Sequence, residues 1–203
     1  MTVRLLPYGE RAVLLEVASI DEVIGTYEAI GELSLDGVED VVPAAVTVLI
    51  SFVDAPAFQR ALPALKAISP RAADHAQGDL VRIPVIYDGQ DLGDVAELTG
   101  LSVDEVIEVH SQTEYTVAFN GFSPGFSYLV GLDEQLRVPR RPSPRTAVPA
   151  GSVAMTGGFT AVYPRQSPGG WQLLGHTQTA MWDSDRAQPS LLGPGMRVRF
   201  DPS

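Results

Sequence analysis

The amino-acid sequence predicts an α+β protein in which a small α/β unit precedes a β-barrel, and three observations lead to this prediction. The first 78 residues show strand and helix patterns in the order ββαββα. The segment from Ala118 to Thr177 is dense in glycine and proline, which excludes long helices and favours short strands joined by shaped turns. The remainder of the chain contains many short β patterns and few helices, as closed barrels do.

The first unit begins with two strands, Val3–Leu6 and Ala12–Val17. A helix follows, capped by Ser19 and Glu22, with an inward face made of Ile20, Val23, Ile24, Tyr27, Ile30 and Leu33. Strands at Val38–Val42 and Ala45–Val53 come next; in the second, Val46, Val48, Ile50 and Phe52 face one way. Asp54 caps a second helix with Phe58, Leu62, Leu65 and Ile68 inward, and Pro63 is expected to kink or reset this pattern. A later strand is expected to close an antiparallel sheet with helices on one face.

Ser69–Asp79 is polar and contains proline, so it is the predicted linker, in which His75 is expected to be solvated. Beyond it, Leu80–Tyr87 is a strand that Pro84 confines to an edge or a bulge. Helices are predicted at Leu92–Thr99 and Val103–Ser111. Further strands are predicted at Tyr115–Asn120, Ser152–Thr156, Phe159–Tyr163, Trp171–Leu174, Ala180–Asp183 and Met196–Phe200, with a hairpin at Gly157-Gly158.

Composition and charge narrow the function. The 203 residues are 45% hydrophobic and include no cysteine, so thiolate metal sites and cysteine nucleophiles are excluded. The net charge of −11 argues against nonspecific nucleic-acid binding. The N-terminus lacks a continuous apolar signal region and no later stretch is long enough to span a membrane, so we expect a cytoplasmic protein without a membrane partner.

Charges of opposite sign occupy different segments. From Asp88 to Glu114 there are eight acids and no Lys or Arg, whereas Arg137 to Arg165 contains five arginines and no acid. The two segments either neutralise each other or leave the arginines solvated. Alternatively, the arginines form a surface that accepts anions.

Motif tests leave few catalytic candidates. The three histidines have no metal-ligand spacing, and no phosphate-binding loop is present, so we predict neither a metal site nor a nucleotide site in this chain. Ser123, in Gly121-Phe122-Ser123-Pro124-Gly125, superficially resembles a nucleophile elbow, but Pro124 removes the amide expected to help form an oxyanion hole. His110 lies on the inward stripe of its helix with Val103, Val106 and Ile107. It is either a buried histidine satisfied by a carbonyl or carboxylate, or a polar group that reaches a pocket.

Motifs across the chain closely resemble one known family, most densely over residues 80–177. The matching motifs are Gly121-Phe122-x-Pro124-Gly125-Phe126-x-Tyr128-Leu129, Pro139-Arg140, Pro144-Arg145, Val148-Pro149-Ala150-Gly151-Ser152-Val153 and Ser167-Pro168-Gly169-Gly170-Trp171-Gln172-Leu173. On these residues the chain resembles the allophanate hydrolase subunit 1 family. That family includes the B subunit of bacterial 5-oxoprolinase and the Kip-type inhibitor of a sporulation histidine kinase.

The resemblance implies a fold, a partner and a cofactor. The predicted fold is a small ferredoxin-like α/β domain at residues 1–78 and a cyclophilin-like β-barrel domain at residues 79–203. The expected partner is a subunit 2 family protein, itself a related barrel, with a possible third lactam-binding subunit. In the 5-oxoprolinase members, the complex uses ATP to open the lactam ring of 5-oxoproline and give glutamate. Because this chain has no nucleotide motif, ATP is expected to act through the complex.

The resemblance also implies site residues. The groove of the barrel is the family's functional surface, and the substrate-binding residues predicted there are Phe122, Phe126, Tyr128, Arg140, Phe159, Trp171 and His176. The chain has Phe159 where the family usually has glutamine, and His176 where it usually has arginine. Core packing is the alternative for the aromatic residues, and we expect Phe119, Phe122 and Trp171 to be largely buried.

Two catalytic roles are hypothesised within the same resemblance. Arg145, in a proline-braced turn, would stabilise the negative charge of an acyl phosphate or phosphorylated imidate, and His110 would shuttle a proton. The alternative for Arg145 is a structural bond to turn carbonyls. Three functions remain open: a subunit of a 5-oxoprolinase-type amidohydrolase, an inhibitor of a sensor histidine kinase, and a subunit acting on allophanate or another ureido compound.

Overall fold

The computed structural model describes residues 3–72 and 78–203 and divides the chain into two compact units, 1–76 and 77–203. The predicted linker includes residues 73–77, and these, with His75, lie outside the described residues. No helix in the described part of the chain is long and apolar enough to cross a membrane.

The first unit is a four-stranded antiparallel sheet with two helices. Its strands are β1 (Arg4–Pro7), β2 (Ala12–Glu16), β3 (Val38–Pro43) and β4 (Thr47–Phe52), and its helices are α1 (Ile20–Leu33) and α2 (Ala55–Ala67). The strand order is β1-β2-β4-β3. The expectation that a later strand closes this sheet is wrong among the described residues, because the next strand of the chain pairs within the second unit.

Both helices begin at the predicted caps and pack into one core with the sheet. The N–H of Glu22 donates to Ser19 Oγ at 3.2 Å, and the N–H of Ala57 donates to Asp54 Oδ1 at 2.7 Å. The α2 helix continues through Pro63 and ends at Ala67, so the proline does not interrupt the helix. Val46 is exposed because β4 starts one residue later, so the predicted inward stripe begins at Val48.

The second unit is built on a seven-stranded sheet. Its strands are β5 (Leu80–Val85), β6 (Tyr115–Asn120), β7 (Ser127–Val130), β9 (Ser152–Thr156), β10 (Phe159–Val162), β12 (Gln172–His176) and β13 (Arg197–Pro202). The strand order in this sheet is β12-β9-β10-β7-β6-β13-β5, and a separate pair is formed by β8 (Arg145–Val148) and β11 (Ser167–Gly169). Its helices are α3 (Leu92–Thr99) and α4 (Val103–Gln112), with a 3₁₀ turn at Glu134–Leu136.

The two ends of this sheet meet and nearly close it into a barrel. Ile86, just after β5, and His176, at the end of β12, exchange two backbone hydrogen bonds of 2.9 Å. Apart from this contact, which lies beyond its last residue, β5 pairs only with β13. Pro84 thus lies in an edge strand, as predicted. The strand expected at Ala180–Asp183 is absent; this segment makes only an isolated bridge between Trp182 and Ser190.

Alternation along the strands gives the sheet two faces. In β10, Val162 joins the large interior core that also contains Val95 of α3 and Val106 of α4. Ala161, its neighbour, joins a second cluster on the other face, which includes Phe126 and Trp171. The candidate site is built on this second face.

Candidate functional site

Seven aromatic side chains form a contiguous cluster on the outer face of the sheet. The ring centroid of Phe126 lies 5.1 Å from that of Tyr128 and 5.6 Å from that of Trp171. The ring centroid of Tyr128 in turn lies 5.6 Å from that of Phe159. All three of these ring pairs have edge-to-face geometry. We call this group the aromatic cluster; its members are Phe119, Phe122, Phe126, Tyr128, Phe159, Tyr163 and Trp171.

A tight loop before β7 presents the outermost ring of the cluster. Phe122 has a φ of 64°, a left-handed conformation that a non-glycine residue seldom adopts. Gly125 has a φ of 80°, and a Cβ there would lie 2.8 Å from the Cβ of Trp182, so only glycine fits. Phe122 is 58% exposed, and the expectation that it is buried is wrong, because this backbone conformation holds its ring at the surface.

Trp171 is buried, as expected, and Phe119 is partly buried. The Tyr163 hydroxyl packs against Gly169, where a Cβ would lie 2.2 Å from Oη. Burial raises the pKa of Tyr163 and of Tyr128, and in both cases the nearby positive charge of Arg140 opposes that rise. Arg140 therefore lies near both phenols of the aromatic cluster.

Arg145, at the start of β8, is held by a buried carboxylate. Its Nη2 lies 2.7 Å from Oδ1 of Asp91, which is 1% exposed, and Arg141 donates to the same oxygen. The other carboxylate oxygen accepts the N–H of Leu173 at 2.8 Å. Burial alone would raise the pKa of Asp91, but the hydrogen bonds from Arg145 and Leu173 and the charges of both arginines outweigh it and lower that pKa.

Asp91 is a residue that sequence reasoning missed. It stands at the N-cap position of α3, where an aspartate normally caps the helix, yet its side chain makes no capping bond. The sequence signal for this contact was the opposite charge of segments 88–114 and 137–165. Of the interpretations given for these segments, mutual neutralisation describes the ion pairs of Asp91 with Arg141 and Arg145.

His110 lies inside the barrel, away from the aromatic cluster. It is fully buried and stacks on Phe200 with ring centroids 4.9 Å apart. The Thr160 hydroxyl donates to the Ala154 carbonyl at 3.0 Å, so it accepts from Nε2–H of His110, also at 3.0 Å. Tyr87 Oη then donates to Nδ1 at 2.8 Å. Burial lowers the pKa of His110 to about 3, so the ring is neutral.

This geometry agrees with the first of the two interpretations of His110, a buried histidine whose ring nitrogens both have hydrogen-bond partners. The partners are two hydroxyl groups and not a carbonyl or carboxylate. Thr160 faces the barrel interior with Val162, whereas the neighbouring Phe159 points to the aromatic cluster. His110 and the predicted substrate-binding rings therefore occupy opposite faces of β10.

His176 is also separate from the aromatic cluster. It closes the barrel with Ile86, and its Nδ1 lies 2.8 Å from Oδ1 of Asp88. Of the nine predicted site residues, the structure thus brings together the rings of Phe122, Phe126, Tyr128, Phe159 and Trp171, with Arg140 beside them. Arg145 lies close enough to affect Tyr163, while His110 and His176 lie elsewhere. A preformed aromatic surface with nearby cations can bind a ligand that combines apolar and anionic groups.

The sequence matches the family model described as carboxyltransferase domain, subdomain C and D, over residues 3–192. Three curated relatives each bear the name of the B subunit of 5-oxoprolinase. They come from Haemophilus influenzae (51% identity), Escherichia coli O157:H7 (54%) and Bacillus subtilis (45%), with alignments covering 60 to 61% of this chain. The chain spans 60%, 57% and 52% of the lengths of these relatives.

Solved structures give a similar picture. TTHA0988 has a TM-score of 0.80 at 37% identity and covers 95% of this chain, which in turn covers 40% of that protein. PH0987 of Pyrococcus horikoshii, a conserved uncharacterized protein, has a TM-score of 0.60 at 36% identity, with 98% and 97% coverage. The urea amidolyase of K. lactis, at 20% identity and a TM-score of 0.71, shares the fold over 99% of this chain and 15% of its own.

Proposed function

Because the chain belongs to the family of the carboxyltransferase domain, subdomain C and D, we propose that it is a subunit of a 5-oxoprolinase complex, inactive alone, that converts 5-oxoproline, ATP and water to glutamate. The names of the relatives support the substrate. The structural observation that carries the proposal is the aromatic cluster, a preformed surface whose outermost ring, Phe122, is exposed to solvent and whose two phenols, Tyr128 and Tyr163, lie near the cation Arg140.

An open surface of this kind suits a site that a second chain completes. Exposed aromatic rings supported by buried ones are typical of binding hot spots, because they add contact area at little cost in conformational entropy. The proposed partner is a subunit 2 family protein, with a third lactam-binding subunit. ATP would be bound by the complex, since the sequence of this chain contains no phosphate-binding loop.

The arginines suit the charge that lactam opening develops. An acyl phosphate or a phosphorylated imidate carries negative charge, which guanidinium groups stabilise by paired hydrogen bonds. In the described part of the chain, the neighbouring Arg137, Arg141 and Arg145 all form ion pairs, whereas Arg140 forms none. We therefore assign the anion contact to Arg140. Arg145, with Nη2 committed to Asp91, would act as a positioning residue.

Finer features belong to the same proposal. The first unit would be a ferredoxin-like domain and the second a cyclophilin-like barrel, whose groove is the surface of the aromatic cluster. The complex would act in the cytoplasm. The nearly closed seven-stranded sheet and the four-stranded sheet with two helices support these assignments.

Reconstitution tests the proposal. The chain is co-expressed with the proteins of its neighbouring genes and purified through one tag, and glutamate and ADP are measured with 5-oxoproline and ATP. We expect a stable complex that releases both products in equal amounts, and no turnover by any component alone. Turnover of allophanate instead of 5-oxoproline would reject the substrate. Inhibition of a sensor histidine kinase by the isolated chain, without a complex, would reject the enzymatic role altogether.

A further inference from the structure

A pocket of the second unit lies where helix α3, the loop before β8 and the start of β12 meet. Its volume is about 470 Å³, which is within the range of pockets that bind small ligands. We call it the α3 pocket. The helix contributes three side chains at positions i, i+3 and i+4, which share one helix face. The residues that line the pocket are Asp94, Glu97, Leu98, Arg141, Pro142 and Gln172.

Gln172 brings a buried acceptor without a donor to this pocket. The residue is 4% exposed and lies opposite Met155 of the interior core, whereas the neighbouring Leu173 packs with Trp171 on the other face of the sheet. Its Nε2 donates to the Pro139 carbonyl at 3.1 Å. Its Oε1 is buried and has no hydrogen-bond partner among the described residues. Because a buried acceptor without a donor is costly, this atom favours a ligand that carries an N–H or O–H group.

The charges around the pocket favour a cation. Glu97 is exposed and forms no ion pair within the described residues, and Asp94, which is 63% exposed, lies 3.6 Å from Arg141. Arg141 also donates to Asp91, the carboxylate that it shares with Arg145. Two guanidinium groups thus lie among three carboxylates, so one negative charge is left without a counter-charge. A cationic ligand would supply that counter-charge, whereas an anionic ligand would be repelled.

We propose that the α3 pocket binds a primary alkylammonium group, which donates to the carboxylates of Asp94 and Glu97 and to Oε1 of Gln172. An ammonium group has three N–H donors, and these two carboxylates and one carboxamide provide an acceptor for each. Leu98, which is 56% exposed, and Pro142 cover the methylene groups next to the ammonium. This inference rests on the α3 pocket alone and does not depend on the proposed function.

An alkylammonium group has two sources, the lysine side chain of a partner protein and a free alkyl diamine. The segment from Asp88 to Glu114 carries eight acids and no Lys or Arg, so its field attracts both. The lysine side chain has one ammonium on a methylene stem, whereas the diamine has a second ammonium that the acidic segment also attracts. The two sources therefore differ in affinity when model compounds are compared.

Nuclear magnetic resonance of the full chain with methyl-labelled leucine tests the proposal, with Nα-acetyl-lysine N-methylamide as the probe. We expect the methyl resonances of Leu98 to shift saturably, with a dissociation constant on the order of millimolar for so small a ligand. If 1,5-diaminopentane binds severalfold more tightly than the lysine amide, the ligand is a free diamine. If it binds equally or more weakly, the ligand is a lysine side chain.

Two matched compounds separate the ammonium from its stem and from its charge. The norleucine analogue keeps the methylene stem and lacks the ammonium. The Nε-trimethyllysine analogue keeps the positive charge and lacks the N–H groups. Each should bind at least about tenfold more weakly than the lysine amide, because the first brings no charge to the carboxylates and the second brings no donor to Gln172.

Variants locate the site. Glu97→Gln should weaken the binding of the lysine amide by about threefold or more, because it removes one carboxylate from the pocket. Glu108→Gln is the matched control: it removes the same charge from α4, outside the pocket, and should change the affinity by less than about twofold. An effect of Glu97→Gln no larger than that of Glu108→Gln, equal binding of either analogue, or no saturable shift of Leu98 would each overturn the proposal. The comparison of compounds uses the unmodified chain, so it remains decisive even if a variant is less stable.

Discussion

Nη2 of Arg145 lies 2.7 Å from Oδ1 of Asp91, a carboxylate that is almost completely buried. The same oxygen accepts from Arg141, and the other carboxylate oxygen accepts from the backbone of Leu173. The Asp91 side chain thus connects the start of α3 with β8 through Arg145, with β12 through Leu173, and with the loop before β8 through Arg141. Leu173 and Trp171 belong to the same buried cluster, so the hydrogen bond between Leu173 and Asp91 helps to hold the aromatic cluster in place.

Asp91→Asn should lower the free energy of unfolding by about 3–5 kcal/mol. The substitution keeps the shape of the side chain but leaves two largely buried guanidinium groups without their counter-charge. Urea denaturation at neutral pH, followed by tryptophan fluorescence, measures the loss. Asp94→Asn is the matched control, because Asp94 lies 3.6 Å from the same Arg141 but is 63% exposed, so its loss should cost at most about 1 kcal/mol. Equal effects in the two variants would show that burial does not set the strength of the pair.

Two neighbouring rings of the aromatic cluster should behave in opposite ways. Phe126 is buried, and Phe126→Ala should cost about 3–5 kcal/mol of stability by leaving a cavity. Phe122 is mostly in solvent, and Phe122→Ala should change stability by about 0.5 kcal/mol or less. The same Phe122→Ala chain should fail to bind its partner tightly in calorimetry, because the exposed ring is the proposed contact. A wild-type affinity in this variant would move the interface away from the aromatic cluster.

Arg140→Ala should reduce kcat/KM of the reconstituted complex by roughly tenfold to a hundredfold, the range expected when a charged hydrogen bond to the reacting group is lost. The melting temperature should be unchanged, since Arg140 makes no ion pair in the described part of the chain. Arg137→Ala is the control: Arg137 is exposed and pairs with Glu134 at 3.6 Å, three residues away. A similar fall in activity for Arg137→Ala would indicate a general charge effect and not a specific contact.

Much of the fold could be predicted because its elements carry strong local patterns. The strand Tyr115–Asn120, the helix Leu92–Thr99 and the hairpin around Gly157-Gly158 all appear as expected. The short strands Ser127–Val130, Arg145–Val148 and Ser167–Gly169 were missed. They are too short to show periodicity, and proline and glycine in or beside them disguise them as turns. Their conformation depends on partner strands, which for β8 and β11 lie about twenty residues away.

The candidate site could be predicted in its residue types but not in its arrangement. The aromatic residues are conspicuous beside glycine and proline, and five of the predicted ones do meet. Which ring is exposed was not predictable, because it depends on the left-handed backbone of Phe122. Asp91 was missed because its partner Arg145 is 54 residues away and its own neighbours suggest a helix cap.

The pH dependence of stability should report the neutral state of His110. Its pKa is about 3 in the folded chain, and a histidine in an unfolded chain titrates near about 6.5. Below that pH the unfolded chain binds a proton that the folded chain does not. The stabilisation is therefore complete above about pH 6.5 and is lost as pH falls toward 3, by about 2 kcal/mol between pH 6.5 and 4.5.

His110→Gln isolates this contribution, because glutamine cannot titrate while every other ionisable group, Asp91 included, is retained. The difference in unfolding free energy between wild type and variant should shrink as the pH is lowered from 7 to 4.5, whereas a constant difference would mean that the buried ring accepts a proton readily. The same variant decides between the two interpretations of His110. A proton shuttle needs a pKa near the working pH, and its loss would remove one limb of the pH–rate profile of the complex. A ring that accepts from Tyr87 and donates to Thr160 should leave the shape of that profile unchanged.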